Sequence, residues 1–215
     1  CFDHSINSLK NVLDYAIGAK IEQLVFQSSS MVYGHITARA SEDDRLNPIG
    51  WYGALKVAAE RMVWAAHQVD GLPFTITRPS ALYGPRCVSR RVVQVFIENA
   101  LAGEPLHVAA EGAERLDFSY IDDWVQGMLL ILAKPEALNQ TFNLARGDAR
   151  SLNDLVEVLR RHFPDLKVEY EPRDKLMPLR DTLTTHKLQA MLGYKSEFGL
   201  EEGVRKYVSW YEGRP

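Results

Sequence analysis

The sequence predicts an α/β fold built around a parallel sheet. Three features carry that expectation. Helical and strand-like patterns alternate along the chain, the strand-like runs are short and apolar, and 46% of the 215 residues are hydrophobic, enough to bury a substantial core.

The elements follow in order. Residues 5–16 place Ile6, Leu9, Val12, Leu13 and Ala16 at helical spacing, with Gly18 expected as the C-cap. Leu24-Val25-Phe26 reads as a strand running into Ser28-Ser29-Ser30. A loop over 41–48, rich in Asp, Asn and Pro, leads to a helix over 51–68. Phe74-Thr75-Ile76-Thr77 is a second strand, closed by a turn at Arg78-Pro79-Ser80. A helix over 92–101 ends at Gly103, and another covers 122–133, where Asp122 or Asp123 is expected to satisfy free backbone N–H groups. Phe142-Asn143-Leu144 is a strand, Ser151 caps a further helix, 168–170 form a late strand, and the closing helix begins near Leu200.

The net charge of −3 gives no basic field for nucleic acid and no polybasic stretch for a membrane surface. The longest apolar run, from Met128 to Ala133, is far too short to span a bilayer, and no signal peptide is visible at the start. Two cysteines, Cys1 and Cys87, lack zinc-binding spacing, and the six histidines are scattered, so no metal site is expected. Sparse cysteine predicts a reducing, cytoplasmic setting.

Tyr52 and Lys56 lie four residues apart at the start of a helix, and are therefore neighbours on one face. A free phenol ionises near ~10, so acid/base work near neutrality needs about 4 kcal/mol of differential stabilisation. An ammonium at ~5 Å with an effective dielectric of ~20 supplies roughly 3 kcal/mol of it. Tyr–Lys is thus a candidate pair for moving a proton on or off a carbinol oxygen. The serines at 28–30 stand at the carboxyl end of a strand, where open α/β sheets place their ligands. No Gly-x-Gly-x-x-Gly or Gly-x-x-Gly-x-x-Gly follows a strand, although a dinucleotide fold needs such a loop for the pyrophosphate. The reading is that the chain starts mid-domain.

Together, Ser28-Ser29-Ser30-Met31-Val32-Tyr33-Gly34, Tyr52-Gly53-Ala54-Leu55-Lys56 and the run from Arg78 to Arg86 resemble the extended short-chain dehydrogenase/reductases, the NAD-dependent epimerase/dehydratase family. Gly103-Glu104-Pro105-Leu106, the run from Asp117 to Asp123, Phe142-Asn143-Leu144 and Leu200-Glu201-Glu202-Gly203 extend the resemblance over nearly the whole chain. It implies the rear part of a Rossmann-like doubly wound parallel sheet over 1–85. The remainder, 86–215, would be mainly a smaller C-terminal α/β substrate lobe, with some elements returning to the sheet. It implies Ser29, Tyr52 and Lys56 as catalytic residues. Ser28, Tyr52, Lys56, Arg78, Pro79, Ser80 and Ala81 would line the site of NAD or NADP, and Ser30, Arg115 and Arg180 would meet the substrate. It also implies a homodimer through a four-helix bundle with Leu9, Leu13, Ala58, Met62 and Ala65 in the seam.

Two departures refine the expectation. Dehydratases of the family carry an Asp-Glu pair after the serine, whereas this chain has Ser30 and Met31, which favours an epimerase or ketoreductase acting on a nucleotide-linked sugar. Members that hold a nucleoside diphosphate carry Arg directly before Asp-Phe, whereas here Leu116 stands there and Arg115 is one place earlier. In an extended segment that offset points Arg115 to the opposite face, unless a local bulge restores it. Without a glycine loop, the 215 residues alone are expected not to bind NAD measurably, and a non-catalytic module or one part of a split protein is the rival reading.

Overall fold

The computed structural model describes residues 3–174 and 176–213. In chain order the elements are α1 (Ser8–Ala19), β1 (Leu24–Gln27), β2 (Arg39–Ala40), α2 (Gly50–Asp70), β3 (Phe74–Pro79) and β4 (Leu82–Tyr83). Then come α3 (Val92–Ala102), β5 (Leu106–Ala109), β6 (Arg115–Leu116), β7 (Ser119–Tyr120), α4 (Ile121–Ala133) and β8 (Gln140–Leu144). The chain closes with β9 (Arg150–Ser151), α5 (Leu152–Arg160), β10 (Val168–Glu171), β11 (Thr182–Leu183), α6 (His186–Leu192) and α7 (Leu200–Glu212).

The main sheet is parallel, in the order β1-β3-β8. Five of the six residues of the central strand β3 are buried, as a strand covered on both faces must be. Alternation along the strands sorts their side chains. Leu24, Phe26, Phe74 and Ile76 pack against α1 and α2, whereas Val25, Phe142 and Leu144 pack on the opposite face with Ile131 of α4 and Leu188 and Leu192 of α6. A second core joins α3, α5 and α7 to β5 and to the Tyr83, Phe118 and Tyr120 rings. Short pairs complete the fold: β5–β10, β4–β7 and β2–β11 are parallel and β6–β9 is antiparallel.

Several expectations change. Gly18 lies inside α1, and Lys20 caps it in the left-handed region (φ 51°), its amide reaching the carbonyls of Ala16 and Ile17. Arg78 and Pro79 are not a turn but continue β3, because β8 offers them Asn143 and Leu144 as partners. Asp123 does not cap α4; its carboxylate accepts the backbone N–H groups of Glu197 and Phe198 at 2.8 and 3.1 Å and so anchors the approach to α7. Leu9 and Leu13 are buried in the chain's own core against α2 and leave the expected bundle seam, whereas Ala58 and Ala65 remain exposed. Ser151 caps α5 as expected, in a reciprocal pair with Asp154.

Candidate active site

A cleft of about 770 Å³ opens at the carboxyl ends of β1 and β3, and a smaller groove of about 360 Å³ runs beside β1. Tyr52 lines both. Ser28, Ser29, Ser30, Pro79, Ser80, Ala81 and Arg180 line the larger one, and Lys56 the smaller.

The serine run is built by local hydrogen bonding. Ser28 continues the β1 ladder by donating its N–H to Thr77 O at 2.7 Å, and its buried hydroxyl has no partner among the described residues. Ser29 is extended, and its Oγ accepts the Met31 N–H at 3.2 Å, capping the tight helical turn Ser30–Tyr33. The first turn of α2 lies directly on this turn. A Cβ added at Gly53 would stand 2.6 Å from the Met31 carbonyl oxygen and 2.9 Å from Pro48 Cβ, so glycine is what permits the approach.

Tyr52 is 51% exposed, facing the cleft. The Lys56 ammonium lies 5.9 Å from the Tyr52 ring centroid and 5.1 Å from that of Phe26, and it donates to Gln27 O at 2.8 Å. Burial lowers its pKa from the usual lysine value, against the opposing pull of Glu60. The helix thus brings the phenol and the ammonium together as the spacing predicted.

Arg78 departs from the group. It does not line the cleft; its guanidinium is buried beneath it and pairs with Glu60. Burial works most strongly against its charge, but hydrogen bonds and charge interactions with Glu60 and Tyr33 together outweigh it and hold its pKa above the ordinary arginine value. Ala81 completes its wall of the cleft in a positive-φ conformation (φ 26°).

The offset at β6 acts as alternation requires. Leu116 is buried and lines the cleft, while Arg115 is turned out, donating to Asp181 at 3.1 Å and to Ala149 O at 2.6 Å. Arg180 borders the cleft and is held by Glu114 at 3.2 Å.

Sequence reasoning passed over part of this lining. Arg86, Arg90 and Arg91 edge the cleft before α3, a cluster visible in the sequence only as closely spaced charges. Cys87 also lines it; burial opposes ionisation of its thiol, but hydrogen bonds from Ser89 and Arg91 outweigh that and leave its pKa below the usual thiol value. Cys1 lies outside the described residues. Among the described residues no cluster of His, Cys, Asp and Glu is arranged to hold a metal, and no helix is long and apolar enough to cross a membrane.

A half-exposed phenol beside a partly buried ammonium, with seryl hydroxyls at adjacent strand ends, is equipped to exchange a proton with a hydroxylated ligand. The chain is 27% identical over 215 residues to an uncharacterized UDP-glucose epimerase of Bacillus subtilis, which covers 96% of this chain and 66% of that protein. The Thermus thermophilus UDP-glucose 4-epimerase, solved in complex with NAD, superposes with a TM-score of 0.92 at 25% identity, over 100% of this chain and 71% of that one. The Thermotoga maritima UDP-glucose 4-epimerase, solved with UDP-glucose, gives 0.90 at 27% identity, over 98% and 70%. The chain thus spans just under two thirds of the Bacillus relative's own length. The model of the NAD-dependent epimerase/dehydratase family matches residues 1–145, two thirds of the sequence, and the chain belongs to that family.

Proposed function

We propose that the protein of which these residues form part is an NAD-dependent epimerase of nucleotide-linked sugars. Tyr52 takes the proton from a sugar carbinol and later returns it. The observation that carries this reading is the position of Tyr52, shared by both grooves and paired on its helix with Lys56.

The residues present suit the cofactor's reactive end. The orphaned, buried Ser28 hydroxyl needs a partner, and Pro79, Ser80 and Ala81 give the cleft a narrow wall beside it. Lys56 would hold a ribose hydroxyl from the smaller groove. NAD, when bound, accepts a hydride from the carbinol carbon and gives it back. Lys56 favours the ionised phenol through its charge, so Tyr52 can act as base when the carbinol is oxidised and as acid when it is restored. Ser29, with its Oγ already fixed by the Met31 N–H, keeps its own proton to donate to the substrate oxygen. Ser30 and Met31 carry no group able to remove a carbon-bound proton, which favours epimerisation over loss of water. The similar proteins described above are epimerases, which favours that reaction over simple reduction.

Substrate contact is assigned to Ser30 and Arg180. Arg115 would join them only by leaving Asp181. The partner is assigned as a second copy, through the exposed faces of α1 and α2. Val12 and Tyr15 replace Leu9 and Leu13 in the seam, beside Ala58, Met62 and Ala65. The lobe boundary stays at residue 85, and a reducing cytoplasm suits the free Cys87.

The test is to incubate the whole protein and NAD with UDP-glucose and UDP-glucuronate and to follow inversion at each sugar carbon by proton NMR. Accumulation of a 4-keto-6-deoxy product, or no turnover of any nucleotide sugar, would defeat the assignment.

A further inference from the structure

Arg78 is 5% exposed at the end of β3, yet it spends its donors on three other segments. Nε and Nη2 donate to the two carboxylate oxygens of Glu60, on α2, at 3.0 and 2.7 Å. Nη1 donates to the Tyr33 hydroxyl at 2.9 Å and to the Glu42 carbonyl oxygen at 3.1 Å. Tyr33 donates onward to Asn143 Oδ1 of β8 at 2.7 Å, and the Asn143 N–H returns to Glu42 Oε1 at 2.8 Å. The network is closed, and each guanidinium nitrogen has an acceptor.

Its connections coincide with the candidate catalytic groups. Glu60 stands one helical turn beyond Lys56 and two beyond Tyr52 on the same face of α2. Tyr33 ends the tight turn whose first N–H groups Ser29 caps. A buried ion pair is seldom worth more to stability than apolar residues filling the same space, and its best-attested use is to fix one arrangement among several. A planar fork that binds a carboxylate with two nitrogens fixes orientation as well as distance.

We propose that Arg78 is a positioning residue, clamping the helix that carries Tyr52 and Lys56 to the turn that carries Ser29, so that groups from two separate segments hold one geometry. The proposal rests on the catalytic reading of those three residues. It also assigns Glu60 a second role, since its carboxylate is the charge that acts on Lys56 and Arg78 is the charge that offsets it.

The test uses the whole protein labelled with ¹³C at lysine Cε, the Lys56 signal being identified by its loss in Lys56→Arg. In Arg78→Met the carboxylate of Glu60 is no longer offset, and the Lys56 titration is expected to rise by on the order of one pH unit. In Glu60→Gln the favourable charge is gone and an unpaired guanidinium remains, so the titration is expected to fall by a similar amount. A merely structural role predicts that both variants loosen the site and move Lys56 upward together, and that result would overturn the proposal. Where Arg78→Met does not fold, the double variant Arg78→Met/Glu60→Gln decides, because Lys56 must titrate lower in Glu60→Gln than in the double variant. Turnover gives the second readout: the double variant should lower kcat at least tenfold with the substrate KM within about twofold, and an unchanged kcat would count against the clamp. Tyr52→Phe separates the two ideas, since normal turnover there defeats the catalytic reading while the Lys56 titrations still judge the clamp.

Discussion

Asp117 accepts the backbone N–H of Leu183 at 3.0 Å across 66 residues of sequence, and the same carboxylate accepts the N–H of Gly147 at 3.1 Å. One fully buried side chain therefore joins the approach to β7, the exit from β8 and the strand β11. Burial pushes its pKa up to about 6, with Asp148 adding to the rise and the backbone N–H groups opposing it. An unfolded aspartate titrates near ~3.9, so the folded chain binds the proton more tightly between those values. Its contribution to stability is then complete below about 4 and is lost as pH rises through about 6. Asp117→Asn cannot titrate. The stability of the parent minus that of the variant should fall by roughly 2–3 kcal/mol between pH 4 and pH 7 in denaturant melts. A difference that does not vary with pH would refute this.

Tyr52→Phe keeps the ring and removes the transferable proton, and Lys56→Met keeps much of the stem and removes the charge. Each should lower kcat by ~10²–10⁴-fold in the whole protein with little change in thermal stability. Ser29→Ala should lose less, since a positioning hydrogen bond is removed and the proton donor remains. Near-normal turnover in all three would refute their catalytic assignment.

Gly203 shows where helix propensity is overruled. Alanine is favoured over glycine inside a helix by up to ~1 kcal/mol. Here a Cβ would fall on the Tyr83 hydroxyl, 2.9 Å from Tyr83 Cζ and 3.1 Å from Tyr120 Cδ2, both rings being buried. Gly203→Ala should therefore destabilise by about 1–3 kcal/mol. The Tyr83 hydroxyl has no partner among the described residues, so Tyr83→Phe should change stability by less than ~1 kcal/mol and restore part of the loss in combination. A stabilised Gly203→Ala would show that α7 moves away freely.

The helix face proposed for dimerisation exposes Tyr15 at 75% and Val12 at 48%, with Ala58 and Ala65 on the neighbouring helix. Ala58→Glu should convert a dimer into a monomer by light scattering, with the far-ultraviolet circular dichroism unchanged. A parent that is already monomeric at micromolar concentration would refute the interface.

The sheet was legible because β1, β3 and β8 are runs whose burial is written locally in apolar side chains. The two-residue strands were not, since pairings such as Thr182–Leu183 with Arg39–Ala40 arise only once distant segments meet. Helix α6 escaped notice because it is a seven-residue helix presenting only Leu188 and Leu192 to the core. The Tyr52–Lys56 relationship followed from helical spacing alone, and the outward turn of Arg115 from strand alternation. The role of Arg78 was hidden, because it depends on a carboxylate set among the buried positions of α2 and on a tyrosine 45 residues away.

The pairing of β2 with β11 also bears on how the molecule is made. Leu179 donates its N–H to His35 Nδ1, 144 residues earlier, and Ile36 donates its own to Leu179 O at 2.8 Å. At ~5–20 residues per second, a ribosome leaves the segment around His35 without these partners for on the order of ten seconds. Ile36 and Ala40, buried with Leu183 in the finished fold, stay wet for that interval. During synthesis this segment is therefore expected to stay open to a holdase for that interval.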